Sequence, residues 1–302
     1  MIYTVTFNPA LDYVMNVPNL NSKDINRTES EQLYYGGKGI NVSVILSRLG
    51  VKNKALGFLA GFSGKQLDSM LKSDNIHTDF VYLARGYTRI NVKIKSEQSI
   101  DINAQGPNIS TEDIEKLMEK LEQIKEGDGL VLAGSIPKTL PNDIYEKILK
   151  RLDGRGINFA VDATGDLLLN VLKYKPFLIK PNHHELGDIF AVEIKTDEDI
   201  AYYGKKLQAM GAKNVLVSRG KDGAALLDES GELRTIGNAP GKITSAVGCG
   251  DSMVAGFLAG WEQKKDYAYA LRLGSACGNA TAFSETLANK QEIENMLSNY
   301  FS

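Results

Sequence analysis

The first clear pattern along the chain is a buried strand. Ile2 to Phe7, IYTVTF, mixes β-branched and aromatic residues and stops at Asn8-Pro9. After Gly39 the period changes: Ile40, Val44, Ile45 and Leu49 recur at helical spacing until Gly50 closes the run. A short strand is then expected over Lys54–Phe58 and a helix over Lys65–Lys72. Ser110–Asp113 reads as a helix start, with Ile114, Leu117, Leu121 and Ile124 on one face. Gly129–Ala133 reads as a strand, Pro141–Leu152 as a helix and Ile157–Val161 as a strand; Phe177–Ile179 and Asn214–Ser218 repeat the strand signal. Two final helices are expected near 250–262 and 266–284. Strands alternating with helices at these lengths imply βαβ units, and so a mainly parallel sheet covered on both faces.

One stretch breaks the pattern. Arg89–Gln105, RINVKIKSEQSIDINAQ, alternates apolar and polar residues on both sides of a polar turn at Glu97-Gln98-Ser99. That predicts a hairpin with one wet face, projecting from the parallel core. Val14–Tyr35 has weak helical periodicity and is expected to supply partner strands. Such a flap over a sheet edge suits a lid that excludes water, although a decorative insertion has the same pattern. The 302 residues contain no internal repeat, low-complexity tract or linker, so one domain is expected.

Composition narrows the function classes. Hydrophobic residues make up 43% and charged residues 24%, a globular balance, and the formal net charge is −2. No basic excess supports binding to nucleic acid or to an anionic membrane surface, so any phosphate must be met by a local site. The two cysteines, Cys249 and Cys277, lack CxxC spacing, which fits a reducing compartment and excludes a structural zinc site. Met1 leads into IYTVTF without a basic or long apolar run, so neither a signal peptide nor a membrane span is expected, and the localisation expected is cytoplasmic.

Four stretches have the composition of chemistry. In AVGCGDSMVAGFLAGW, Ala246 to Trp261, a glycine turn leads into a helix that begins near Gly250, with Met253, Val254, Phe257, Leu258 and Trp261 at helical spacing. Free N–H groups at such a helix start attract an anion, and glycine lets the anion approach the backbone. Asp251 would repel that anion unless its task is to take a proton; equally, an Asp there opposes the helix dipole. No GxxxxGK[ST] occurs, and GxGxxG fails because Met253 stands where its last glycine belongs. Gly36-Gly37-Lys38-Gly39-Ile40-Asn41 is a second glycine turn, where Lys38 suits phosphate and Asn41 a sugar hydroxyl, or where a solvated loop suffices. In Lys180-Pro181-Asn182-His183-His184-Glu185, Asn182 and Glu185 make a capping-box pair or serve a hydrated Mg²⁺, while the adjacent histidines read as solvent-exposed. Asn8-Pro9-Ala10-Leu11-Asp12 follows the first strand, where such folds bind ligands, so Asp12 suits sugar hydroxyls.

Together NPALD, GGKGIN, GSIP, VDATG, KPNHHE, SRGKDG and AVGCGDSMVAGF stand in the order and spacing of the ribokinase-like (PfkB) sugar kinases, and the chain resembles that family over nearly its whole length. The resemblance implies a three-layer αβα sandwich with a mostly parallel central sheet and a small β-sheet lid formed by segments near 12–35 and 86–106. It implies ATP and Mg²⁺ as cofactors, Asp251 as base, and an anion hole at Gly248, Cys249, Gly250 and Asp251. It gives Asp12, Gly37, Lys38 and Asn41 to the sugar, and Arg27, Arg89 and Lys138 to the phosphate the sugar already carries. Lys180, Asn182, Ser218, Gly220, Gly223, Gly248, Gly250 and Asn279 fall to the nucleotide, and Glu185 with Asn182 to the metal through water. Within the family the resemblance is to kinases of ketose phosphates. Thr88–Lys93, TRINVK, and the NAQGP segment at 103–107 lean towards fructose 1-phosphate giving fructose 1,6-bisphosphate, with tagatose 6-phosphate as alternative acceptor. The sequence does not give the oligomeric state; the edges of the lid could pair two copies into a homodimer. A non-catalytic sugar-phosphate sensor is the alternative from another class, but it has no physical need of Asp251 among its glycines. Cys249 departs from the Ala or Ser usual in the family; a thiol at a helix N-terminus is expected to have a lowered pKa.

Overall fold

In the computed structural model, which describes every residue except 22, 98, 135 and 302, the chain opens with β1 (Ile2–Thr6), β2 (Ala10–Asn16), β3 (Ser30–Gly36) and helix α1 (Lys38–Arg48). Next come β4 (Asn53–Ala60), α2 (Gly61–Ser73), β5 (Val81–Leu83), β6 (Arg89–Lys95) and β7 (Ile100–Ile102). The middle alternates through α3 (Thr111–Leu121), β8 (Gly129–Ala133), α4 (Ile144–Leu152), β9 (Asn158–Asp162) and α5 (Gly165–Leu169). Then follow β10 (Leu178–Ile179), α6 (His183–Phe190), α7 (Asp197–Ala209) and β11 (Asn214–Ser218). The chain ends with β12 (Ala224–Leu227), β13 (Leu233–Ile236), α8 (Cys249–Lys264), α9 (Tyr267–Phe283) and α10 (Lys290–Tyr300).

Nine strands form the central sheet, in the order β13-β12-β11-β10-β9-β8-β1-β4-β5. All neighbours are parallel except β11–β12 and β12–β13, an antiparallel pair at one edge. The alternation of β1 decides which helices cover which face. Tyr3, Val5 and Phe7 join the cluster that includes Leu117 of α3, Ile148 of α4 and Leu207 of α7. Ile2 joins the opposite cluster, with Val42 of α1, Phe257 of α8 and Leu273 of α9. Between them Thr4 Oγ1 bonds Ser43 Oγ at 2.8 Å, and Thr6 Oγ1 accepts from the Ile40 amide at 2.9 Å, which seats α1 on the strand. The seat is tight: a Cβ on Gly39 would lie 2.6 Å from Thr6 Oγ1 and 2.7 Å from the Val5 carbonyl oxygen.

A second sheet of four strands, β3-β2-β6-β7, stands beside the first. The hairpin reading matches β6 and β7, which pair antiparallel, although Gln98 of its turn lies outside the described residues. β2 and β3 come from the segment expected to supply partners. The faces sort by side chain. Asp12, Arg89, Asn91 and Lys93 line the cleft between the two sheets together with Leu33, while Ile90, Ile100 and Ile102 on the other face are 36–56% exposed. The expectation of one wet face is thereby refined: the polar face is turned towards the cleft, and the other face carries Leu11, buried in the core, as well as the exposed Ile90, Ile100 and Ile102. Among the described residues no helix is long and apolar enough to cross a membrane.

Candidate active site

Helix α8 begins one residue before the expected start, because Gly248 adopts a left-handed conformation (φ 79°) that caps it without a side chain. A Cβ on Gly248 would meet Leu287 Cδ2 at 2.6 Å, and one on Gly250 would meet Lys180 Nζ at 3.3 Å, so both positions are kept bare for backbone and ligand. Asp251 through Gly260 are all buried, making α8 apolar on every side except at this end. The first N–H groups of the helix have no carbonyl behind them and form an anion site. Asp251 lies among them, 5% exposed, and its Oδ2 accepts from Asn41 Nδ2 at 2.8 Å. Burial first, then the charge of Asp162, pushes its carboxyl up to about 6, against the pull of Asn41, Lys38 and Lys180.

Asp162 ends β9, 4% exposed, and is held by two ammonium groups: Lys38 Nζ at 3.0 Å from Oδ2 and Lys180 Nζ at 3.4 Å from Oδ1. Burial opposes its charge, yet the two lysines keep its carboxyl below the ordinary carboxylate range. Burial likewise opposes the charge on Lys38, but Asp162 and Asp251 hold its pKa above the usual lysine value. Two cations and two anions thus converge from α1, β9, β10 and α8. The arrangement can accept a proton at Asp251 and meet negative charge with the lysines and the helix amides.

Of the residues expected to meet a sugar phosphate, Asp12, Gly37, Lys38, Asn41 and Arg89 line one cleft of about 860 Å³ with Gly248 and Asp251. Arg89 is half-buried and its Nε donates to the Asn8 carbonyl at 3.0 Å; burial lowers its pKa and Asp12 opposes that shift. A smaller cavity of about 440 Å³ continues from Lys38 and Arg89 to Gly134, Ile136, Asn142 and Asp162. Ser135 of the GSIP stretch lies outside the described residues. Arg27 and Lys138 are exposed and line neither cavity.

The nucleotide candidates sit at the ends of β10 and β11. Lys180 faces Gly250 and Asp162, and Asn182 bridges to Ser218. The capping reading of Asn182 and Glu185 is present in full: Asn182 Oδ1 accepts from the Glu185 amide at 2.9 Å, and Glu185 Oε2 accepts from the Asn182 amide at 2.8 Å. His184 is exposed as expected, while His183 is half-buried against the Ser218 carbonyl. Gly220 is exposed and its carbonyl accepts from Asn238 Nδ2 at 2.7 Å; Gly223 is buried. Asn279 differs from expectation, since its amide is spent on the protein: Oδ1 accepts from Ala239 N, and Nδ2 donates to Asn238 Oδ1 and the Ser275 carbonyl. It holds the loop beside the nucleotide candidates instead of presenting an amide to a ligand.

Cys249 requires a correction. Burial, then the charge of Asp251, pushes its thiol up to about 11, so the helix start does not lower it. The pattern reading also assigns no role to Asp162 or Asn91. An acid closing a buried parallel strand, as in VDATG, was the available signal for Asp162; Asn91 has none.

The sequence pattern described as pfkB family carbohydrate kinase matches residues 5–293. A 1-phosphofructokinase of Bacillus subtilis is 45% identical over 298 residues, covering 98% of this chain and 97% of the relative. A D-tagatose-1-phosphate kinase of Bacillus licheniformis is 38% identical, covering 97% and 96%. The structure of phosphofructokinase-2 from Escherichia coli in complex with substrates and products superposes with a TM-score of 0.92 at 27% identity, covering 100% of this chain and 99% of that one. With these matches along its whole length and a charged cleft at the carboxyl edge of its sheet, the chain belongs to the pfkB family of carbohydrate kinases and has their ribokinase-like fold.

Proposed function

We propose that the chain transfers the γ-phosphoryl group of ATP to the primary hydroxyl on carbon 6 of fructose 1-phosphate, giving fructose 1,6-bisphosphate. The observation that carries this reading is buried Asp251 at the open N–H end of α8, within the field of Lys38 and Lys180. The names of the two Bacillus relatives support the acceptor class. The tagatose relative's name puts the phosphate on carbon 1, so tagatose 1-phosphate replaces tagatose 6-phosphate as the second acceptor.

Ionised Asp251 accepts the hydroxyl proton as the sugar oxygen attacks phosphorus in line. Charge growing on the transferred oxygens is met by the amides of Cys249, Gly250 and Asp251 and by Lys180. Asp12 and Asn41 orient the sugar, and Arg89 and Lys38 receive its existing phosphate. Ser218, Gly220 and Gly223 bound the nucleotide. Glu185 spends Oε2 on its capping bond, and among the described residues no three acidic, histidine or cysteine side chains gather. That donor set fits a divalent cation that keeps most of its waters, so Glu185 and Asn182 would hold Mg²⁺ beside the nucleotide. When bound, the ion neutralises phosphate charge.

The small sheet, from segments 12–35 and 86–106, acts as a lid that excludes water within one kinase domain. Its outward apolar face pairs with a second copy, and two free thiols suit the reducing cytoplasm. Phosphorus NMR of the product made from fructose 1-phosphate and ATP tests the reaction: signals for phosphates on carbons 1 and 6 are expected, and release of inorganic phosphate alone contradicts it.

A further inference from the structure

Two stretches singled out in the sequence, TRINVK at 88–93 and NAQGP at 103–107, are mostly unused by this mechanism, yet they meet at Asp12. β2 and β6 run parallel with Asp12 opposite Asn91. Asn91 is only 5% exposed, and its amide is fully directed. Its Nδ2 donates to Asp12 Oδ1 at 2.8 Å, and its Oδ1 accepts from the Ala104 amide at 3.2 Å. On the other side of the carboxylate lies Gly36, where a Cβ would stand 2.9 Å from Asp12 Oδ2. Nearby, Asn8 Nδ2 donates to the Gln105 carbonyl at 2.8 Å, and the Asn8 carbonyl accepts from Arg89. NAQGP is therefore a wall that seats both the aspartate and the arginine of the sugar side.

A carboxylate held at one oxygen by Asn91, with the other left room by the bare Gly36, offers its free lone pairs in one direction. Ketoses that differ only at carbon 4 present that hydroxyl above or below the ring. A fixed acceptor separates them, and a rotating acceptor does so less well, because each epimer then finds an orientation it can use. We propose that Asn91 is the positioning residue that fixes the Asp12 carboxylate and that, with the Ala104 amide, it sets the preference of the site between ketose phosphates epimeric at carbon 4. The inference rests on the reading of Asp12 as a sugar ligand. Asn91 itself touches no reacting atom and acts through Asp12.

The test compares kcat/KM for fructose 1-phosphate and tagatose 1-phosphate in wild type, Asn91→Ala, Asp12→Ala and the double variant. Asn91→Ala is expected to lower kcat/KM for the preferred epimer by about 10-fold or more, the scale of a lost hydrogen bond to a charged group. KM for ATP should stay within about twofold, and the ratio between the epimers should shrink. In the Asp12→Ala background, Asn91→Ala should change nothing further, since the group it holds is gone. Equal losses in both backgrounds, or an unchanged epimer ratio, would overturn the inference. Should Asn91→Ala fail to fold, Asn91→Ser, too short to reach Asp12, carries the same expectations. An active wild type with unmoved variants overturns this inference alone; a wild type that turns over neither sugar phosphate overturns the substrate reading as well.

Discussion

Replacing Asp251 with Asn removes a proton acceptor and, at the same time, a buried charge. The expected result is a kcat lower by roughly 10²–10⁴ together with a higher Tm. The carboxyl is raised from 3.8 to about 6 on folding, so its contribution to stability is intact below the lower value and is lost as pH rises through the upper one. The loss amounts to about 2–3 kcal/mol. The gain in Tm of Asp251→Asn should therefore be small near pH ~4 and complete by pH ~7; thermal melts at the two values check this, and equal shifts at both contradict it. Wild-type turnover should likewise fall as pH drops below about 6, where the base is protonated. The placement of Asp251 at a glycine-capped helix start was legible because its glycines, its helix and its charge are adjacent in sequence. Asn91 and Asp162 were not, because each acts through a partner 79 or 124 residues away. Cys249 was misread for a related reason: a helix start predicts a lowered pKa, but burial depends on tertiary packing that local sequence does not show.

At the scale of elements, the site depends on how closely α1 and α8 approach the sheet. Gly39→Ala would drive a methyl into Thr6 and the Val5 carbonyl, at an expected cost of about 1–3 kcal/mol. A Tm lower by several degrees, with kcat reduced because Lys38 and Asn41 shift with the helix, is the outcome expected from calorimetry and assay; an unchanged Tm contradicts the tight seat. The long elements β1, α1, β8, α8 and α9 were readable from period and caps. The antiparallel β12–β13 edge, the three-residue β5 and helices α7 and α10 were not read. Short strands give too few residues for a period to show. The hairpin was read correctly as a hairpin, but its faces can be assigned only once the cleft exists.

For the whole molecule, the outward face of the small sheet is the feature a lone chain leaves unfavourably wet, with Ile90, Ile100 and Ile102 partly exposed. A dimer through this face predicts that Ile100→Asp with Ile102→Asp yields a monomer in light scattering, whereas a wild type that is monomeric at micromolar concentration contradicts it. The mostly parallel sheet and the class of reaction followed from motifs and periods spread over the chain, whereas the order of strands follows only from the fold. The central claim, that this kinase phosphorylates a ketose carrying its phosphate on carbon 1, is tested most directly by one comparison. With ATP and Mg²⁺ fixed, kcat/KM should be highest for fructose 1-phosphate and far lower for fructose 6-phosphate and tagatose 6-phosphate; a preference for either 6-phosphate would contradict it.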